Sequence, residues 1–441
     1  MAGTIFADKS PYIEALEKGA TNYRYVFLRP RRFGKSAFLN MLCAYYDVHY
    51  AGIFDDLFGP LYIGKNPTTS KNKHLVLKLD LSKISVSGSL EAMRTSFNER
   101  INGVLRRFLQ KYNSELGHLE ENKIIDNESA LSLWTTSCAF PGGNTGLGRG
   151  ILDNFQHIES FFKENLFSIL KEGCSTTSMN DYDVIISKYF LTGVTPAFRA
   201  GISPLTATAI VSNNRSLHGI CGFSESEVKA IVKHYLRMND QEAEPLLHSI
   251  RRLYNGYCFA MSGYDESSSP LPLVYNPHLV LHYLSNFQNE GFVANPEESI
   301  AVHSTTILKS IADVGELSVN DLVELIVSKS IQSKIKSEFG YSELLSVGKD
   351  REITWSLLFY PGILTLSPDG SLRVPNDIKK SEVLDRIAAF LRTQDKISAL
   401  MVPAIRNLKA GRAEEFCKLL ETFFSSRAVR EPQAENPTTR T

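Results

Sequence analysis

The chain has no excess of charge of either sign. Lys plus Arg and Asp plus Glu both number 48 among 441 residues, so the formal net charge is zero. That balance excludes a global basic field for nucleic acid and leaves only a local patch for such a role. No run approaches the roughly 18 apolar residues of a membrane span. The opening MAGTIFADKSPYIEALEKG carries charges and no apolar core, unlike a secretory signal. The six cysteines, Cys43, Cys138, Cys174, Cys221, Cys258 and Cys417, include no C-x-x-C pair. This disfavours a zinc or disulfide framework and predicts reduced, mostly buried thiols. The ten histidines include no H-E-x-x-H, and neither Cys221 nor Cys258 stands in a recognisable nucleophile context. Together these absences predict a soluble intracellular protein, cytoplasmic or nuclear. What is present is ordinary for a globular chain: 43% hydrophobic and 22% charged residues, enough for two or three domains with a sizeable core.

Strand-like and helix-like patterns alternate through the first 205 residues or so. RYVFLRP is a short apolar, aromatic run, and KSAFLNMLCAYYD follows at helical spacing. HLVLKLDLS (His74 to Ser82) reads as a buried strand. The segment after it is a long amphipathic helix with Leu90, Met93, Phe97, Ile101, Val104, Leu105 and Phe108 on one stripe. FQHIESFFKENLFSILKEG is again helical, and VIISKYFLTGVTP (Val184 to Pro196) is a strongly apolar strand ending at Thr192 and Gly193. Such alternation predicts a mainly parallel sheet covered on both faces. From about residue 222 the pattern is helical. Ser224 and Ser226 are cap candidates, Gly256 is a stop and Pro277 is a helix start. The segment from Glu352 to Asn376 reads as a helix end and a hairpin around Pro368-Asp369-Gly370, resembling a winged-helix module. The tail is polar, proline-bearing and predicted to be disordered.

The segment with the clearest chemistry is YVFLRPRRFGKSAFLNML, Tyr25 to Leu42. Gly34, Lys35 and Ser36 occupy the last three positions of the phosphate-loop pattern G-x-x-x-x-G-K-[ST], and Arg29 stands where the first glycine belongs. Backbone N–H groups opening a helix present unpaired donors and a positive dipole end to a phosphate. Arg29, Pro30, Arg31, Arg32, Phe33, Gly34, Lys35, Ser36 and Ala37 are therefore the candidate ATP-binding residues. Lys35 would reach the β- and γ-phosphates, and the Ser36 hydroxyl would coordinate Mg²⁺. Pro30 replaces glycine's freedom with a fixed turn, while Arg31 and Arg32 add positive charge or form a solvated basic face.

FADKSPYIEAL followed by YVFLRPRRFGKSAFLNML resembles the start of the AAA-ATPase-like family, whose members carry an R-P-R-R-F-G-K-S loop. Further blocks similar to the family are FFKENLFSILKEG, KYFLTGVTPAFRAGISPLTATAIVSN, ICGFSESEV, LYNGYCF, VYNPHLVLHYL and LLFYPGILTL. They extend the resemblance over about residues 5–425, and they make Arg29 part of a shared pattern. The resemblance implies a P-loop ATPase using ATP and Mg²⁺. It also implies an apolar strand ending in D-E-Y-D just before a segment like CAFPGGNTGL. Here that place holds NESALSLWTTS (Asn127 to Ser137), and the nearest acids are Asp126 and Glu128. Without the acid that holds Mg²⁺ beside a water-activating partner, binding is expected and turnover is expected to be weak or absent.

Two substitutes carry alternatives. Asp80, ending LVLKLD, is either a strand-terminal Mg²⁺ ligand or a turn cap. The family has this strand in addition to its D-E-Y-D strand, which argues against simple replacement. Thr192 is either a sensor of the γ-phosphate or a structural strand end. Arg199 contacts phosphate or forms a surface ion pair, and Gly142 to Gly150 reads as a surface loop. Family members often carry a C-terminal restriction-endonuclease-like nuclease domain. No D…[DE]-x-K constellation in strand context follows EEFCKLLETFFSSRAVREPQ, so no nuclease activity is assigned.

The expected architecture is a P-loop α/β core (1–210), a helical domain (211–340), a winged-helix-like module (341–425) and a disordered tail (426–441). The expected function is an ATP-dependent switch, with a DNA-binding or protein-interaction module as the alternative. No membrane partner is expected, and the sequence fixes neither the oligomeric state nor a macromolecular partner.

Overall fold

The computed structural model describes residues 6–18, 23–81, 90–116, 136–139, 186–196, 208–260, 270–290, 319–328, 330–340, 346–347 and 349–392, with isolated positions at 166, 343 and between 404 and 418. Asp126, Glu128, Arg199, the Gly142–Gly150 loop and the C-terminal tail lie outside these residues. The helix expected across FQHIESFFKENLFSILKEG also falls outside them, apart from Leu166.

Among the described residues, five strands build one sheet: β1 (Arg24–Leu28), β2 (Leu77–Asp80), β3 (Thr136–Ala139), β4 (Tyr189–Gly193) and β5 (Ala209–Ile210), in the spatial order β2-β3-β4-β1-β5. Every pairing is parallel. Val26, Phe27 and Leu28 are buried in succession, as is all of β4. Continuous burial of this kind marks strands covered on both faces. The strands expected from the apolar runs at Tyr25, His74 and Val184 are all present. β3 is an addition, because TTSCA has neither a long apolar run nor clean alternation.

Helix α1 (Pro11–Lys18) precedes β1, and α2 (Lys35–Tyr46) leaves it. Phe38, Leu39, Leu42, Tyr45 and Tyr46 give α2 a buried stripe at helical spacing. Short helices α3 (Phe54–Phe58) and α4 (Tyr62–Lys65) lead to β2. The long α5 (Leu90–Lys111) buries Met93, Phe97, Ile101, Val104, Leu105 and Phe108, the stripe expected from the sequence.

Helix α6 (Glu225–Leu236) begins with a capping box. The Ser224 hydroxyl accepts from Glu227 N–H, and the Glu227 carboxylate accepts from Ser224 N–H. Helix α7 (Asp240–Tyr254) is capped in the same way by Asn239 and Glu242. Helix α8 (Pro277–Glu290) starts at the proline, whose missing N–H is no loss in a first turn. A compact apolar core joins α6, α7 and α8 through residues such as Val228, Ile231, Leu247, Ile250, Val280 and Leu284.

Helices α9 (Val319–Val327) and α10 (Arg351–Phe359) precede an antiparallel hairpin of β6 (Thr365–Leu366) and β7 (Leu372–Arg373), and α11 (Asp377–Arg392) follows it. At the hairpin tip Gly370 takes φ 79°, and the Asp369 carboxylate accepts from Ser371 N–H and Oγ–H. Leu322, Ile335, Trp355, Leu358, Leu372 and Ile387 share one apolar core with the sheet and α2. No helix among the described residues is long and apolar enough to cross a membrane.

Candidate functional site

The chain leaves β1 for the far edge at β2, then steps back through β3 and β4 towards β1. Such reversals place ligands outside the carboxyl ends of open parallel sheets. The turn from β1 into α2, Arg29 to Gly34, occupies that position. Arg32 and Gly34 take left-handed φ angles of 66° and 97°. A Cβ on Gly34 would meet nothing within 4 Å, so the requirement for glycine there is conformational, not one of space. Gly34 caps α2 with no side-chain hydrogen bond, and the Phe38 N–H to Gly34 carbonyl bond of 3.0 Å closes the first turn. The amides of Lys35, Ser36 and Ala37 therefore open the helix without intrahelical acceptors. Ser36 and Ala37 are exposed at that end.

Two cations of this turn, Lys35 and Arg29, are bound to carbonyls. Lys35 Nζ donates to the Arg29 and Pro30 carbonyls at 2.9 and 2.7 Å. Burial, with the like charges of Arg29 and Arg31 adding to it, brings the Lys35 ammonium down to about 8. Arg29 points beneath the loop and is 1% exposed. Its guanidinium donates to the carbonyls of Leu28 (2.9 Å), Ser212 (2.6 Å) and His218 (3.4 Å). It also lies over the rings of Phe27 and Phe259, at 4.4 and 4.8 Å from their centroids. Arg29 thus replaces glycine as a buried tie between the end of β1 and the segment after β5. Its side chain is directed into the core and not towards a ligand above the loop. Among the described residues, neither Arg29 nor Lys35 forms an ion pair with a carboxylate.

Register aligns Asp80, Ala139, Thr192 and Phe27 in one row across β2, β3, β4 and β1. Thr192 is buried beside β1, and its Oγ1 has no hydrogen-bond partner among the described residues. An unpartnered buried hydroxyl is costly unless something else uses it. β3, on the other side of Thr192, ends in Cys138-Ala139, with no acid. Asp80 lies three strand spacings from β1, about 14 Å across the sheet. Its Oδ2 is 3.8 Å from Arg100 of α5. The fold therefore brings Thr192 to the loop's strand and leaves Asp80 near the sheet edge.

Later parts of the chain fasten the loop from outside. Phe33, 1% exposed, meets Tyr257 and Phe259 edge-on at 5.0 and 5.4 Å, and its carbonyl accepts from Gly222 N–H at 3.0 Å. A Cβ on Gly362 would lie 2.8 Å from Pro30 Cγ, so this glycine gives Pro30 its space. Asn276 Nδ2 donates to the Arg31 carbonyl at 3.5 Å, and Arg32 Nη1 lies 2.8 Å from His278 Nε2. These partners sit within ICGFSESEV, LYNGYCF, VYNPHLVLHYL and LLFYPGILTL. The blocks were visible in the sequence, but their convergence on one turn was not.

Residues 1–139 match the model of the AAA-ATPase-like family, described as a predicted AAA-ATPase. The match takes in β1, the turn, α2, β2 and β3, and the later family-like blocks lie outside it. No curated protein matches the chain.

Proposed function

We propose that the chain binds ATP with Mg²⁺ at the turn from Arg29 to Ala37 and uses the bound nucleotide as a conformational switch, with hydrolysis weak or absent. The observation that carries this reading is the combination at the start of α2: uncapped amides and a Lys35 ammonium held by carbonyls, with no carboxylate counter-charge among the described residues. A triphosphate supplies the negative charge such a site lacks. On this reading Lys35 exchanges carbonyl oxygens for phosphate oxygens, and the exposed Ser36 hydroxyl would hold Mg²⁺. The residues present fit that ion only in part, because β3 brings no acid beside Thr192. Magnesium, when bound, neutralises charge between the terminal phosphates.

Thr192 is read as the sensor of the terminal phosphate, supported by its place one strand from β1 and by its unpartnered hydroxyl. Asp80, taken from the sequence as a candidate metal ligand, is unsuited by its distance from β1 and its proximity to Arg100. The switch reading draws support from Phe33, Pro30 and Gly222, which join the loop to the helical region and to the hairpin-bearing segment. A loop that moves on binding carries those contacts with it. The packing of Gly362 on Pro30 favours a nucleotide-linked module over a free DNA-binding one.

Binding of a fluorescent ATP analogue to the wild type and to Lys35→Ala tests the proposal. Saturable binding by the wild type and none by the variant is the expected result. Equal binding by both, or binding by neither, defeats the proposal.

A further inference from the structure

Arg32 is an exposed residue in a left-handed conformation, three positions before Lys35. Non-glycine residues adopt that region at a cost, and they do so where the surroundings hold them there. The surroundings here are the start of α8. The Asn276 side chain accepts from His278 N–H (3.1 Å) and Leu279 N–H (3.4 Å), and its own amide reaches the Arg31 carbonyl at 3.5 Å. One asparagine therefore caps α8 and grips the loop. The next contact is 2.8 Å between Arg32 Nη1 and His278 Nε2.

A guanidinium can only donate, so His278 must offer a lone pair on Nε2 and carry its proton on Nδ1. His282, one turn further on, has its ring centroid 6.2 Å away. A flexible four-bond side chain from the turn is thus held in one place at the start of α8 by a neutral acceptor, which leaves its positive charge uncancelled. A carboxylate in place of His278 would neutralise Arg32, and a lysine would repel it.

We propose that His278 is a positioning residue that holds Arg32 for the terminal phosphate and so sets a preference for nucleoside triphosphate over diphosphate. This rests on the nucleotide-binding reading above and names a specificity determinant for the same site. Holding Arg32 in place removes the ordering cost that the ligand would otherwise meet. The gain falls on the phosphate furthest from the nucleoside, whose charge is matched by Arg32 and not by the helix amides alone.

The test is the ratio of ATP to ADP affinity, both with Mg²⁺, for the wild type, His278→Ala, His278→Gln, Arg32→Ala and the double alanine variant. The wild type is expected to favour ATP. His278→Ala should lower the ratio about tenfold, chiefly through weaker ATP binding, while ADP binding changes little. His278→Gln, whose amide oxygen can accept from Arg32, should restore most of the preference. The double variant should match Arg32→Ala, since His278 acts only through Arg32. An unchanged ratio in His278→Ala, or additive losses in the double variant, overturns the inference while leaving nucleotide binding intact. Failure of the wild type to bind either nucleotide overturns the underlying reading instead. Unaltered thermal melting and circular dichroism of the variants separates these outcomes from misfolding.

Discussion

The two halves of the sheet's carboxyl edge are built to different standards. Around β1, Arg29, Pro30, Arg31, Arg32 and Phe33 each touch a segment far away in the chain, and the positive charges are crowded together. Around β3 and β2, the strand ends offer Ala139 and an Asp80 that lies near Arg100. Binding and catalysis make separate demands. Binding needs donors and cations at a helix start, whereas turnover also needs a carboxylate to fix the metal and the attacking water. Among the described residues, one half offers those donors and cations, and the other brings no carboxylate beside Thr192.

The largest effect should come from damage to the well-built half. Arg29→Gly restores the glycine of the general phosphate-loop pattern, yet it strips three carbonyls of their donor and leaves a cavity between Phe27 and Phe259. Chemical denaturation should show a loss of about 3 kcal/mol. A neutral or stabilising outcome would show that Arg29 is not the tie described. A gain should follow from repairing the poorer half. Cys138→Asp and Ala139→Asp place carboxylates on opposite faces of β3, so one of the two should raise Mg²⁺-dependent phosphate release, on the order of tenfold. No gain from either would count against β3 as the place where a catalytic acid is missing. The smallest effect belongs to Asp80→Ala. ATP affinity and turnover should change by less than about twofold, since a partly exposed ion pair contributes little. A large loss of turnover would return Asp80 to the metal site.

Much of the fold was legible because period and punctuation agreed. The stripe from Met93 to Phe108, the Ser224 cap, Pro277 at a helix start and the turn at Asp369-Gly370 are all local signals. β3 was not legible. Four residues, Thr136 to Ala139, take their strand conformation from neighbours on both sides and not from their own pattern. At the site, Gly34, Lys35 and Ser36 could be read from spacing. The downward path of Arg29 could not, since its acceptors at Ser212 and His218 lie more than 180 residues away in sequence. His278 escaped notice for the same reason. A histidine following Asn-Pro carries no sign of the arginine it meets.

The central claim is that the Lys35 ammonium awaits an anion. In the free protein burial holds it near pH 8, and phosphate contact should raise that value. Affinity for Mg·ATP should therefore be full below pH 8 and fall above it, by at most about tenfold per pH unit, with proton uptake on binding between the free and bound values. Calorimetric titration at pH 8.5 in two buffers of different ionisation enthalpy measures that uptake. A substantial fraction of one proton taken up at pH 8.5, falling towards none at pH 6.5 where Lys35 is already protonated, is the predicted result. ATP binding without proton uptake at pH 8.5, or uptake that is the same at pH 6.5, would contradict it.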